Sequence, residues 1–154
     1  MKYRVKGLDL YIRQLEQLSD MAYQRLAIEK AIEEGSKVVD EETLKALKAL
    51  PVDNRPYVDG MRTSILQVQK DALVKSFGTS PIDSKKNFIN DKTGVDNSKN
   101  KLGQYEVTVA RRLENGTSYM KKNPVFSRAS RKARNACIDK MQESLNESID
   151  RIFK

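Results

Sequence analysis

The chain contains no histidine and no tryptophan, a single cysteine (Cys137) and only four prolines among 154 residues. Each shortage excludes something. Without histidine there is no His-based catalytic triad, and one cysteine leaves an ordinary zinc site short of ligands. A lone cysteine forms no internal disulfide, which suits a reducing compartment. Cys137 falls within a helical apolar pattern and reads as a small core residue rather than a reactive thiol. No stretch approaches the roughly 20 apolar residues that span a bilayer, and MKYRVKGLDL is too poor in apolar residues to serve as a secretory leader. Neither the GxxxxGK phosphate loop nor the GxGxxG dinucleotide fingerprint occurs. No catalytic, cofactor-binding or metal-ligating set emerges, and a non-enzymatic role is expected.

Apolar residues are scarce as well. They make up 38% of the chain against 32% charged, enough for one domain with a modest core. Elongated helices, or a core completed by neighbouring subunits, fit that composition. The net charge is +8 and is unevenly placed. Residues 1–69 carry 11 basic and 11 acidic side chains, residues 70–101 carry 7 against 4, and residues 111–154 carry 11 against 5. An excess confined to the second half serves solubility, or contact with DNA or an acidic protein surface.

The pattern predicts a short leading strand over Met1–Lys6, followed by a helix marked by Leu8, Ile12, Leu15 and Leu18. A second helix starts at Ser19 or Asp20, either of which can cap it. Its stripe runs through Ala22, Leu26, Ala31, Ile32, Val38, Val39, Ala46, Leu47 and Leu50, so residues 8–50 form a helical arm ended by Pro51. Gly35 inside that stripe marks a bend or a close helix contact. PVDNRPYVDG, residues 51–60, is a turn-rich loop, and a shorter helix is expected over Met61–Lys75. In the irregular segment 76–104, strands over Ser76–Ile82 and Asn87–Val95 are expected to pair across an Asp83–Lys86 turn, with Asp96–Gly103 mobile. Tyr105, Val107 and Val109 alternate as in a strand, whereas Val107, Ala110 and Leu113 suit a helix. Residues 123–154 form the clearest element, a long amphipathic helix capped by Asn123, with Pro124 in its first turn. Its stripe is Phe126, Ala129, Ala133, Ala136, Cys137, Met141, Leu145, Ile149 and Ile152. The fold class is α+β: long N-terminal helices and a long C-terminal amphipathic helix packed on a small antiparallel sheet, in a single domain.

Carboxylates cluster at Glu33, Glu34, Asp40, Glu41 and Glu42, but on a helix these point to solvent and meet Lys30, Lys37 and Lys45 at spacings of three or four. A surface ion-pair lattice is therefore expected in place of a catalytic pair. Arg128, Arg131, Lys132 and Arg134 fall within two turns of the last helix, with Lys121 and Lys122 just before it. Such a helix can follow phosphate charge without reading bases, since no aromatic interleaving or helix-turn-helix pattern accompanies it.

VARRLENGTSYMKKNPVFSRASRKA, Val109–Ala133, resembles the bacteriophage tail-completion or neck proteins. These carry a short helix, a Glu or Asn before Gly-Thr-Ser, a basic or aromatic spacer, and a Pro-Phe opening to the terminal helix. The matching residues are Glu114, Gly116, Thr117, Ser118, Met120, Lys121, Pro124 and Phe126; Val125 separates Pro124 from Phe126, where many relatives have the two adjacent. The order of elements agrees over nearly the whole chain, although Asn54, Arg55 and Pro56 follow Pro51-Val52-Asp53 where relatives have Thr-Gly.

The resemblance implies a short helix over Val107–Asn115. It also implies a ring of identical copies, plausibly six-fold, at the head-proximal end of a tail tube in a phage or a tail-like bacteriocin. The partners would be tube, terminator and head-connector proteins, in the virion or in the host cytoplasm during assembly. Arg111, Arg112, Lys121, Lys122, Arg128, Arg131 and Arg134 are the candidate lumen or partner contacts. Independently of resemblance, Gly116 suits the left-handed conformation that stops a helix. Thr117 and Ser118 suit the satisfaction of free backbone groups in the turn, and Pro124 and Phe126 suit anchorage of the last helix. A small basic protein binding nucleic acid non-specifically is the alternative, and a regulatory or antitoxin-like helical module is a third reading.

Overall fold

A computed structural model describes residues 8–54, 62–85 and 88–153. The expected leading strand and most of the 51–60 loop lie outside them. Helices α1 (Leu8–Ser19) and α2 (Met21–Lys48) are separated by Asp20, which is extended and whose carboxylate accepts the Ala22 amide at 2.9 Å. Asp20, rather than Ser19, is therefore the cap. α3 is Gln67–Ser76, α4 is Glu106–Asn115 and α5 is Val125–Phe153. Four three-residue strands, β1 (Phe77–Thr79), β2 (Asp83–Lys85), β3 (Phe88–Asn90) and β4 (Thr93–Val95), complete an α+β chain.

The strands form two nested antiparallel pairs. Phe77 lies opposite Val95 in β1–β4, and Asp83 lies opposite Asn90 in β2–β3. The expected Asp83–Lys86 turn is corrected: residues 83–85 are strand and pair with Phe88–Asn90. The expected helix over Met61–Lys75 is corrected at its start. Ile65 instead forms a parallel bridge with Val52 and is fully buried, and α3 begins only at Gln67, whose amide donates to Asn54 Oδ1. Hydrophobic periodicity cannot separate a buried bridge residue from the first turn of the helix that follows it.

The stretch Asp96–Gly103, expected to be mobile, is tied down. Buried Asn100 accepts from the Leu102 and Gln104 amides through Oδ1, and the Glu106 amide donates to the Ser98 carbonyl. An Asn turn of this kind replaces apolar packing as the ordering force. Tyr105–Leu113 resolves as helix apart from Tyr105, which bridges Lys99.

α5 runs antiparallel to α2. Lys132 pairs with Glu42, Cys137 and Met141 face Gly35, and Lys30 pairs with Glu147. Small buried residues at spacings of four, Ala129 and Ala133 near one end of α5 and Ser144 and Ser148 near the other, allow this approach. Ser148 keeps its hydroxyl satisfied by donating to the Ser144 carbonyl. Parts of both expected stripes are corrected: Ala22, Leu26, Ala136 and Ile149 are exposed. The core gathers where the C-terminal end of α2 meets α3, α4 and the start of α5. Leu47, Leu50, Ile65, Leu73, Val109, Leu113 and Val125 are buried there, with Phe77 and Phe126 partly covered against them. The two rings lie 6.2 Å apart, so α5 meets β1 through Phe126.

Candidate functional site

The Glu114–Phe126 motif lies at the edge of this core. α4 presents Val109, Ala110 and Leu113 inward, which turns Arg111 and Arg112 to solvent. Gly116 ends the helix with its amide donating to the Arg112 carbonyl at 2.8 Å. Its φ of 75° is positive as expected, but its ψ of 175° lies outside the left-handed helical well, in a region almost reserved for glycine. A Cβ there would also stand 3.0 Å from the Lys122 nitrogen and 3.1 Å from the Met120 oxygen. Thr117 closes the turn: its amide donates to the Met120 carbonyl, and its Oγ1 accepts from the Tyr119 and Met120 amides. Ser118 lies exposed beside it.

Helix α5 is capped from a distance, and the expected Asn123 cap is corrected. Glu114 Oε1 accepts the Phe126 amide at 2.6 Å, and Glu114 Oε2 accepts the Ser127 hydroxyl at 2.7 Å. A carboxylate on free amides at the positive end of a helix is the favourable arrangement for a cap and for the dipole together. Pro124 stands just before the first helical residue, its carbonyl accepting the Arg128 amide. The Asn123 amide donates to the Leu113 carbonyl, and its side-chain oxygen receives Arg128 Nη2 at 3.4 Å. The end of α4 and the start of α5 are thus one locked unit.

This unit displays the candidate cations. Arg111, Arg112, Lys121, Lys122, Arg128, Arg131 and Arg134 are all exposed. Among the described residues none of the seven joins an ion pair, whereas Lys30, Lys37, Lys45, Lys132 and Lys140 each do. On α5 the spacing of three spreads Arg128, Arg131 and Arg134 across roughly 120° of the outer face, at 100° per residue. Arg128 and Lys132 also border a cleft of about 370 Å³ between α5 and the end of α2. Ala46, Leu50, Val125 and Ala129 supply apolar lining, and Lys45 adds a cation that the sequence cluster did not include. Glu42 on that cleft is already bound to Lys132 at 2.7 Å, and the ammonium holds its carboxyl below the usual range. The acidic run of α2 forms the surface lattice expected, Lys37 meeting Glu33 and Glu34 and Lys45 meeting Glu42. Lys30 departs from the expectation by reaching across to Glu147 of α5.

Sequence reasoning gave Glu106 no role. It is 1% exposed, and neither carboxylate oxygen has a hydrogen-bond partner. Burial pushes its carboxyl pKa up, and the neighbouring Asn100 amide offsets this only in part without completing a hydrogen bond. Burial likewise raises the Cys137 thiol, helped by the charge of Asp91, which keeps it an unreactive half-buried residue. No group of three or more ligating side chains able to hold a metal ion occurs among the described residues, and no helix there is long and apolar enough to cross a membrane.

No family model, no curated protein and no solved structure matches this chain.

Proposed function

We propose that the protein is a structural component of a phage or phage-tail-like particle: a ring at the head-proximal end of the tail tube that completes the tail and joins it to the head. The role is binding, not chemistry. One observation supports the reading: seven cations that join no ion pair among the described residues are displayed by the locked α4–turn–α5 unit, the segment that resembles the tail-completion proteins. The motif residues serve the geometry of that unit, Glu114 as the cap, Gly116 and Thr117 as the turn, and Phe126 as the anchor on Phe77. A fixed positive surface suits an acidic neighbour such as a tube or connector protein, and electrostatic fit of this kind governs encounter and register more than affinity. By the same resemblance the copies form a ring of six, and the particle or the host cytoplasm during assembly is the site of action.

The test is charge reversal. The triple variant Arg128→Glu, Arg131→Glu and Arg134→Glu changes only exposed side chains, so its helical circular dichroism should match the parent. In an assembly assay it should leave filled heads and finished tails unjoined. Normal joining by a folded triple variant would overturn the reading.

The same unpaired cations favour a second reading, non-specific contact with nucleic acid. Counterion release would then make a gel shift by the purified protein fall steeply with salt. A shift that persists near physiological salt and disappears in the triple variant would support this reading over the first.

A further inference from the structure

The cleft between the end of α2 and the start of α5 differs from the rest of the charged face in having an apolar floor. Its α2 wall carries Lys45, its α5 wall carries Arg128 and Lys132, and buried Leu50, Val125 and Ala129 lie between them. About 370 Å³ stays open because residues contributed from both sides, Ala46, Ala49 and Ala129, end at Cβ. That is the low end of the roughly 300–1,000 Å³ of ligand sites, and too little for a helix about 10 Å across. One side chain and its flanking backbone fit; a folded element does not.

The charge of the cleft is not balanced within the chain. Glu42 is the one carboxylate lining it among the described residues. Glu42 binds Lys132 at 2.7 Å, whereas Lys45 stands 3.9 Å from it with its side chain 74% exposed. Arg128 meets no carboxylate among the described residues, and its Nη2 reaches only the Asn123 side-chain oxygen at 3.4 Å. Three cations against one carboxylate leave the cleft positive, and the two loosest, Lys45 and Arg128, stand on opposite walls.

We propose that this cleft takes a short acidic segment of a partner protein, with one apolar side chain on the Leu50–Val125–Ala129 floor and flanking carboxylates on Lys45 and Arg128. Charge and apolar contact are both required. A phosphate backbone or a purely acidic strand would use the cations and leave the floor wet, while an uncharged apolar segment would leave both cations without a partner. Burial of a leucine-sized side chain accounts for about tenfold or more in affinity, and an exposed ion pair for about fivefold at most. The apolar side chain therefore sets the affinity, and the two walls set the orientation. The occupant rests on the reading above, that this face meets an acidic protein, and extends it to Lys45, which lies outside the seven cations.

An NMR titration of the isotope-labelled full chain with the synthetic peptide acetyl-Asp-Glu-Leu-Asp-Glu-amide, at near-physiological salt, tests it. The amides of Ala46, Leu50, Arg128 and Ala129 should shift, with a Kd below about 1 mM. Replacing the peptide's leucine by serine should weaken binding at least about tenfold. The protein variant Ala49→Phe, which fills the cleft from an exposed position, should do the same. Lys45→Gln with Arg128→Gln should weaken binding about fivefold. Lys92→Gln with Lys101→Gln removes equal charge from exposed sites outside the cleft, and screening should hold its effect below about twofold. Unchanged circular dichroism shows that each variant folds.

No shift up to about 2 mM peptide, equal binding of the serine peptide, or equal losses from the two double variants would each overturn the assignment. Shifts of the same amides when the protein alone is concentrated would put a second copy in the cleft. Stronger shifts with an oligothymidylate of about ten nucleotides would make it a nucleic-acid surface. Either result overturns the peptide assignment. Peptide binding by the parent, together with normal head–tail joining by the triple charge-reversal variant, would overturn the proposed function alone. Failed joining by that variant, with a parent that does not bind the peptide, would overturn the cleft alone.

Discussion

Glu106 is the residue whose chemistry the fold supports least. It opens α4, where a carboxylate favours the helix dipole, yet it is buried and neither oxygen finds a partner. Its polar neighbour, Asn100, spends its oxygen on backbone amides, and its Nδ2 lies buried without completing a hydrogen bond to the carboxylate. Burial therefore holds the folded carboxyl above its ordinary value of 4.5. Between the ordinary value and the raised one, the folded state binds a proton that the unfolded state has released. Stability is then fully present below the ordinary value and declines as pH rises through the window above it. Glu106→Gln stays neutral and should abolish that decline, leaving the variant with the higher melting temperature at pH 7. Thermal melts of both proteins from pH 4 to pH 8 check this; parallel curves would mean the carboxylate is solvated in solution.

At the scale of elements, the α2–α5 contact decides what the helices do. Gly35 leaves no room there: an added Cβ would stand 2.7 Å from Met141 Cγ and Cε and 3.1 Å from Cys137 Sγ. Gly35→Ala gains about 1 kcal/mol of helix propensity and meets an overpacking cost of about 1–3 kcal/mol. A net loss near 1 kcal/mol is expected in urea unfolding. Shortening the neighbour with Met141→Ala should couple to it favourably by at least about 0.5 kcal/mol in a double-mutant cycle.

How much of this was legible follows from the range of each interaction. The helices α1, α2 and α5 stood out because their apolar residues repeat over many turns, and Asp20 and Gly35 carried local signals. The cap on α5 did not, because Glu114 reaches it from the preceding helix and only the three-dimensional turn brings the two together. Asn123, the locally obvious cap, is instead held to Leu113 and Arg128. Ile65 and the nested strands were misplaced for the same reason, since the bridge to Val52 and the three-residue ladders are too short to leave a period. Of the candidate site, exposure of the five arginines was readable as charge on helix faces, and that of Lys121 and Lys122 as charge in a polar turn. The cleft with Lys45 was not, since it needs the antiparallel register of α2 on α5.

The whole molecule is polarised, and that polarity predicts its dynamics. Leu47, Leu73, Val109 and Leu113 are buried at the core end, while Leu10, Tyr11, Ile12 and Leu15 of α1 stand open at the other. Opening free energies follow local burial, so amides of α1 should exchange with solvent hydrogen through small openings, and those around Leu47 and Leu113 only through global unfolding. The expected gap is several kcal/mol, on the order of half the stability of a domain this size. Hydrogen exchange followed residue by residue checks this: equal protection of α1 and of the amides around Leu47 and Leu113 would show the chain opening as one unit and overturn the polarity.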